Sequence, residues 1–265
     1  NRVYQFSDDE KRRYVAKFYR PQRWRAEQIA EEHQYALDLL ADEVPIAAPL
    51  RLKGETLHSH AGFFFAVFPS LGGRQYETDN EDQMEWVGRF LGRIHQTGRK
   101  ALFSHRPAIG LDEYLHEPRQ ELEHSQLVPA SLKTALLQAI DKLGNTLQQQ
   151  WHTTWQPLRL HGDCHPGNIL WRDGPLFVDL DDARNGPAVQ DLWMLISGDR
   201  QEQRIQWDIL LEAYSEFSDF DINELSLIEP LRAMRMVYYL AWVVRRWQDP
   251  AFPRAFPWMT DEDFW

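Results

Sequence analysis

The segment that most constrains this chain is Leu160-His161-Gly162-Asp163-Cys164-His165-Pro166-Gly167-Asn168-Ile169-Leu170, followed by Phe177-Val178-Asp179-Leu180-Asp181-Asp182. It sets an aspartate and an asparagine five positions apart in a loop punctuated by two glycines and a proline. Apolar runs from Ile169 to Trp171 and from Leu176 to Val178, on either side of Asp173-Gly174, predict a short hairpin that ends on a second aspartate, Asp179. Transfer of a γ-phosphoryl group asks a protein for such a set. One carboxylate holds and deprotonates the acceptor hydroxyl, and oxygen ligands clamp Mg²⁺ against the β- and γ-phosphates of ATP. Asp163 fits the first role, Asn168 and Asp179 the second. An Asp or Asn in a glycine-containing turn ordinarily just bonds nearby backbone, but three would have to fall into this register by accident.

The spacing matches the H-R-D-x-x-x-x-N catalytic loop of eukaryotic-type kinases, with Gly162 in place of Arg and Asp179 where their metal-binding D-F-G aspartate stands. With H-G-D-x-x-x-x-N and V-D-x-D-D-A the chain resembles the aminoglycoside phosphotransferase and choline kinase superfamily. The run from Phe177 to Trp193, with Lys17-Phe18-Tyr19-Arg20-Pro21, resembles more closely its bacterial stress-response branch of Ser/Thr protein kinases. That likeness extends over essentially all 265 residues. The resemblance implies an α+β, bilobal, protein-kinase-like fold. Its lobes would be a small β-rich N-lobe, residues 1–70, and a larger, mainly helical C-lobe, residues 71–265, with ATP and Mg²⁺ between them.

The same resemblance distributes further roles. Lys17, after Val15-Ala16, takes the place of the strand lysine that pairs the α/β-phosphates and a helix glutamate. Glu31 and Glu32 both lie at the right distance. Adjacent helical residues point about 100° apart, so only one can face the strand, and Glu32 is chosen. Phe68, Pro69, Ser70 and Leu71 are assigned by position to the hinge that offers backbone groups to adenine. Around the site, His161, Asp181 and Asp191 are expected as supporting residues: strand alternation puts Asp181 on the face of Asp179 and turns Asp182 away, and in the superfamily the residue at Asp191 opens the next helix and braces the catalytic loop. Family members carry a further strand and a phosphate-covering loop ahead of the position where this sequence starts, so the N-lobe is expected to be truncated here, and the C-terminal edge likewise.

Hydrophobic periodicity fills in the rest. Val3–Phe6 and Tyr14–Tyr19 read as a hairpin, and residues 25–40 as a helix. Ala48–Leu52 and Phe63–Phe68 read as strands. Helices are expected from Asn80, closed by Gly98 as a C-cap, over Asp112–His124 with a break near Pro118, over Ser131–Trp151, and over residues 199–217 and 224–248. Leu225–Trp247 is apolar on nearly every side, which predicts a buried central helix. Its Tyr238, Tyr239 and Trp242 either belong to the core or line a cavity for a cationic substrate, as aromatics do in choline kinases. His95 reads as a structural histidine.

No P-loop and no G-x-G-x-x-G occurs, so those nucleotide folds are excluded. A net charge of −11 argues against nucleic-acid binding and suits an acceptor that is cationic or has basic flanks. No apolar run is long enough to span a bilayer and no secretory leader opens the sequence, so a cytoplasmic protein without membrane attachment is expected. The single cysteine, Cys164, agrees with a reducing compartment and reads as a small filler rather than a nucleophile. Zinc at His161-x-Asp163-x-His165 is set aside because no second ligand cluster follows. The first expectation is therefore an ATP- and Mg²⁺-dependent Ser/Thr protein kinase, acting as a monomer. Because no A-P-E-terminated activation segment follows Asp179, a small-molecule kinase acting on an aminoglycoside, choline or homoserine-like hydroxyl stays open. A nucleotide-binding pseudokinase is disfavoured by the intact Lys, Asp, Asn, Asp set.

Overall fold

The computed structural model describes residues 1–151 and 155–265. In chain order the elements are β1 (Arg2–Ser7), β2 (Arg13–Phe18), α1 (Ala26–Ala41), β3 (His58–His60), β4 (Phe63–Pro69), β5 (Arg74–Gln75), α2 (Glu81–Gly98), α3 (Glu117–His124), α4 (Ala130–Gln150), β6 (Leu158–Leu160), β7 (Ile169–Trp171), β8 (Pro175–Phe177), β9 (Arg184–Gly186), α5 (Arg200–Ser215), α6 (Ile228–Arg246) and α7 (Ala251–Ala255). They form two compact units, Asn1–Ala108 with Gln156–Asp221, and Ile109–Trp155 with Ile222–Trp265. The lobe boundary expected at residue 70 lies inside the first unit, which holds every site residue named above.

In the first unit β1, β2, β4 and β3 form an antiparallel sheet in the order β1-β2-β4-β3. Asp8 closes the first hairpin by accepting from the backbone N–H groups of Glu10 and Arg12 at 3.0 and 2.9 Å. The register sets Lys17 between Val3 and Ala66, on the face that looks toward α1. That helix buries Ile29, Glu32, His33, Tyr35, Ala36 and Leu39, the i, i+3, i+4 stripe of an amphipathic helix with two polar residues set inside it. The strand expected over Ala48–Leu52 does not form. Pro49 has no N–H to give, Leu50 N–H makes one bond to the Val67 carbonyl at 2.7 Å, and Leu52 turns back on Glu55. The neighbour of β4 is instead β3, reached through Ala61 and Gly62, both at positive φ.

Asn80 caps α2 by accepting from Gln83 N–H at 3.0 Å. Gly98, expected as the C-cap, is the last helical residue, and Arg99 is the cap. What requires a glycine there is packing: a Cβ would collide with the Arg159 carbonyl on β6. The hairpin of β7 and β8 pairs Ile169 with Phe177 and is flanked by β5.

The second unit is helical. A π-helical turn, Asp112–His116, runs into α3, with Pro118 in its first turn. Helix α6 is not buried all round as its composition predicts. It buries Pro230, Leu231, Met234, Val237, Ala241 and Val243, and leaves Met236 and Tyr239 at 66% and 42% exposure. One stripe at helical period is enough to seal so small a unit, so the apolar surplus faces out. Tyr238 packs on Tyr114, Trp242 packs on Phe252, and arginines already lie over the rings of Tyr238 (Arg245, 5.2 Å) and Trp242 (Arg246, 5.7 Å). Among the described residues no helix is long and apolar enough to cross a membrane.

Candidate active site

Three carboxylates meet at one buried lysine. Lys17 Nζ on β2 lies 2.9 Å from Asp179 Oδ1, 3.1 Å from Asp181 Oδ1 and 3.6 Å from Glu32 Oε1. Burial alone would lower the Lys17 pKa, but Glu32, Asp181 and Asp179 outweigh it and hold the pKa well above the ordinary lysine value. Glu32 is the most deeply buried of the three acids, and for it desolvation wins over Lys17 and Arg106, so its pKa is raised. Asp181 is held below the usual carboxylate range: burial opposes its charge, but Lys17 and Arg23 more than compensate.

Glu32 faces the lysine, and Glu31 turns the other way. Its carboxylate accepts from the backbone N–H groups of Ser104, His105 and Arg106 at 2.7, 2.9 and 2.9 Å, tying α1 to the loop after α2. The two glutamates thus divide the work of ion pairing and loop capping, as a 100° separation allows.

Asp179 leaves the hairpin at φ 64°, in the left-handed region, and residues Leu180–Asp182 wind into a 3-10 turn. That turn, rather than the strand alternation expected from the sequence, brings Asp181 back beside Lys17. Asp182 diverges toward Arg23 at 3.0 Å and Arg184 at 3.1 Å.

The catalytic-loop residues are fixed from behind. Asp191, fully buried in a short 3-10 turn instead of at a helix start, accepts from His161 N–H at 2.7 Å and Gly162 N–H at 2.8 Å, and His95 Nε2 lies 3.1 Å away. Burial lowers the His95 pKa against the pull of Asp191. His161 is buried as well and donates through Nε2 to the Val178 carbonyl at 2.9 Å. Gly162 sits at φ 84°, where a Cβ would collide with the Asp182 carbonyl. The loop and the Asp182 turn therefore touch backbone to backbone.

Asn168 donates its amide to the Asp163 carbonyl at 2.9 Å, and its own carbonyl accepts from Val178 N–H at 3.0 Å. It is thereby locked beside the residue that precedes Asp179. Its side-chain nitrogen being engaged, its side-chain oxygen is the group it can offer a cation. Asp179 is the exposed member of the lysine cluster, with 55% of its side chain accessible. An amide oxygen and a carboxylate make the hard, all-oxygen set that suits Mg²⁺. Among the described residues no group of three or more His, Cys, Asp or Glu side chains is placed to hold a metal ion. Cys164 is buried, and desolvation raises its thiol pKa, contrary to what a nucleophile needs.

Lys17, Glu32, Asp179 and Asp181 line a cleft of 640 Å³ together with Phe68, Pro69, Ser70 and Leu71. Ser70 N–H is used by the Arg13 carbonyl at 3.0 Å. Asp163, Asn168, His161 and Asp191 lie outside this lining; His161 and Asn168 each bond the backbone of Val178, which belongs to it. Sequence reasoning missed Arg23 and Arg106. Arg23 reaches Asp181 Oδ2 at 2.6 Å. Arg106 is buried 4.4 Å over the Trp24 ring, 3.3 Å from Glu32 Oε2, and donates to the Gln28, Ala183 and Asp181 carbonyls. Neither belongs to a local pattern; only the density of acid around Lys17 signals a need for more positive charge.

An antiparallel β-sheet and helix α1 over such a cleft, with a braced H-G-D loop beside it, define a phosphotransferase of kinase-like fold. The chain belongs to the phosphotransferase enzyme family, whose model matches residues 1–228. It is 66% identical over 265 residues to stress response kinase A of Escherichia coli K12, covering all of this chain and 81% of the relative. Against the serine/threonine protein kinase RdoA of Salmonella typhimurium LT2 the identity is 64% over the same span, with 100% and 81% covered. Among solved structures, amicoumacin kinase hAmiN in complex with AMP-PNP, Ca²⁺ and Ami superposes at a TM-score of 0.75 with 19% identity, over 98% of this chain and 84% of that one. These findings make the protein an ATP-dependent kinase.

Proposed function

We propose that the protein transfers the γ-phosphoryl group of ATP to Ser or Thr hydroxyls of protein substrates in a stress response, as a cytoplasmic monomer. The observation that carries the catalytic reading is the lysine cluster: Lys17 shared by Glu32, Asp179 and Asp181 at the head of an apolar-walled cleft. Lys17 binds the α/β-phosphates, and Glu32, steadied by Arg106, keeps its ammonium aimed into the cleft. The backbone of Phe68–Leu71 receives adenine through groups other than the N–H of Ser70, which the Arg13 carbonyl already engages, and Pro69, which has no N–H to give. Asn168 and Asp179 would hold Mg²⁺ through oxygen, and the ion would supply charge neutralisation for the phosphates. Asp163 orients the acceptor hydroxyl and takes its proton. Asp191, through two backbone N–H groups, keeps Asp163 at its station.

Support for a protein acceptor comes from the names of the relatives at 64–66% identity. A small hydroxyl compound is the second reading, favoured by the fold's likeness to a kinase solved with Ami. The test is γ-labelled ATP with Mg²⁺, a general protein substrate in one arm and a pool of amino alcohols and aminoglycosides in the other. Label in protein only is expected; label in the small compounds only overturns the protein-kinase reading. Asp163→Asn should lower turnover at saturating ATP by ~10²–10⁴-fold with little change in ATP affinity. Intact turnover in that variant overturns the role of Asp163.

A further inference from the structure

The role of Asp163 leaves His165 unassigned, yet its ring is held in one tautomer. Its Nδ1 accepts from Gly167 N–H at 3.0 Å, capping the short turn Pro166–Asn168. A nitrogen that accepts carries no proton in the neutral ring, so the proton is on Nε2. That Nε2 lies 3.5 Å from Asp163 Oδ2.

The seat around the ring is built for this pose. Backbone N–H of His165 donates to the Asp163 carbonyl at 2.9 Å, closing the turn between the two residues. Gly167 has its Cα against the ring: a Cβ there would stand 2.7 Å from Cε1 and 3.0 Å from Nδ1 of His165. Pro166 fixes the first position of the turn. His165-Pro166-Gly167 is thus a unit in which the cap sets the tautomer and the glycine makes room for the ring.

We infer that His165 is a positioning residue for Asp163, its Nε2–H engaging Oδ2 so that the carboxylate presents a fixed orientation to the acceptor hydroxyl. Hydrogen bonds of catalytic groups are long before substrate binds and tighten in the complex, and 3.5 Å is within that range of adjustment. The inference rests on the reading of Asp163 as acceptor base.

Two variants separate capping from positioning. His165→Asn keeps an oxygen where Nδ1 accepts from Gly167 N–H, and Asn is a good cap, but it has no group at Nε2. His165→Gln carries an amide N–H near the Nε2 position and loses the cap. The expected result is a kcat about tenfold lower in H165N, with the KM for ATP and the melting temperature unchanged, and substantial recovery of kcat in H165Q. This loss is smaller than the ~10²–10⁴-fold that a general base itself contributes. Wild-type kcat in H165N overturns the inference. So does a pattern in which H165Q is the slower of the two and its loss tracks a lowered melting temperature, which assigns His165 to capping alone. Asp163→Asn is run alongside: if it too retains full turnover, the reading of Asp163 has failed, whereas a slow D163N with a fast H165N removes only the positioning role.

Discussion

Lys17 is usually thought of in such a site as a phosphate contact, but here its removal should register first as a loss of stability. In Lys17→Met the stem keeps its packing and the charge is gone. The side chains of Lys17, Glu32 and Asp181 are 9%, 4% and 5% exposed, while that of Asp179 is 55% exposed. Taking one partner from a buried ion pair costs ~3–5 kcal/mol, because the other charge stays buried without it. Arg106 stays on Glu32 at 3.3 Å and Arg23 on Asp181 at 2.6 Å, and water screens Asp179. The loss is therefore expected at the lower end, about 3 kcal/mol at pH 7.5.

The pH dependence has a definite sign. Burial already raises the pKa of Glu32 above its unfolded value of 4.5, against the pull of Lys17 and Arg106. Without Lys17 it rises further. A carboxyl with a raised folded pKa binds more protons folded than unfolded within that window, so the variant gains stability relative to wild type as pH falls from neutral toward 4.5. Urea denaturation of both proteins at pH 7.5 and pH 5 reads the effect. A difference below about 0.5 kcal/mol at pH 7.5, or one that widens toward acid, would refute the idea that the three acids depend on this lysine.

Asp179→Asn should abolish Mg²⁺-dependent turnover in a protein that still folds; near-normal turnover by a label-transfer assay would remove Asp179 from the metal site. Gly162→Ala, at φ 84° and against the Asp182 carbonyl, should cost about 2 kcal/mol or more in denaturant titration, and an unchanged midpoint would show that the loop can move away. His33, between Tyr19 Oη at 2.7 Å and Thr56 Oγ1 at 2.9 Å, has its pKa lowered to about 3 by burial, with Lys17 and Arg106 adding to it. Its contribution to stability is full above the unfolded value of 6.5 and is lost as pH falls toward 3, with a slope of at most ~1.4 kcal/mol per pH unit. His33→Gln should flatten the stability profile between pH 6 and pH 4, and an unaltered slope would count against the assignment.

Much of the architecture was legible because it rests on local rules. The β1–β2 hairpin, α1, α2 and the β7–β8 hairpin all follow from periodicity and turn chemistry. Helical geometry said that only one of Glu31 and Glu32 can face the strand, but not which; the distance of 3.6 Å from Lys17 Nζ to Glu32 Oε1 is read from the structure. Misreadings arose where a tertiary neighbour decides. Residues 48–52 have strand-like composition, but Pro49 and the turn at Leu52 leave them a single bond to β4. Gly98 looks like a cap and is a packing glycine. Helix α6 reads as buried all round, yet Met236 and Tyr239 face outward. Arg23 and Arg106 carry no sequence signature because their partners, Asp181 and Glu32, lie 158 and 74 positions away in the chain.

Asp191 gives the catalytic loop an unusual mechanical character. One carboxylate, itself beyond the reach of water, gathers the amides of His161 and Gly162 and the imidazole of His95, and that imidazole is held at its far edge by Tyr214 Oη on α5 at 2.8 Å. A loop that carries chemistry is ordinarily among the least protected parts of a fold. Here the two amides before Asp163 both donate to a carboxylate that is itself fully buried, so they should exchange hydrogen far more slowly than the amides of an exposed loop.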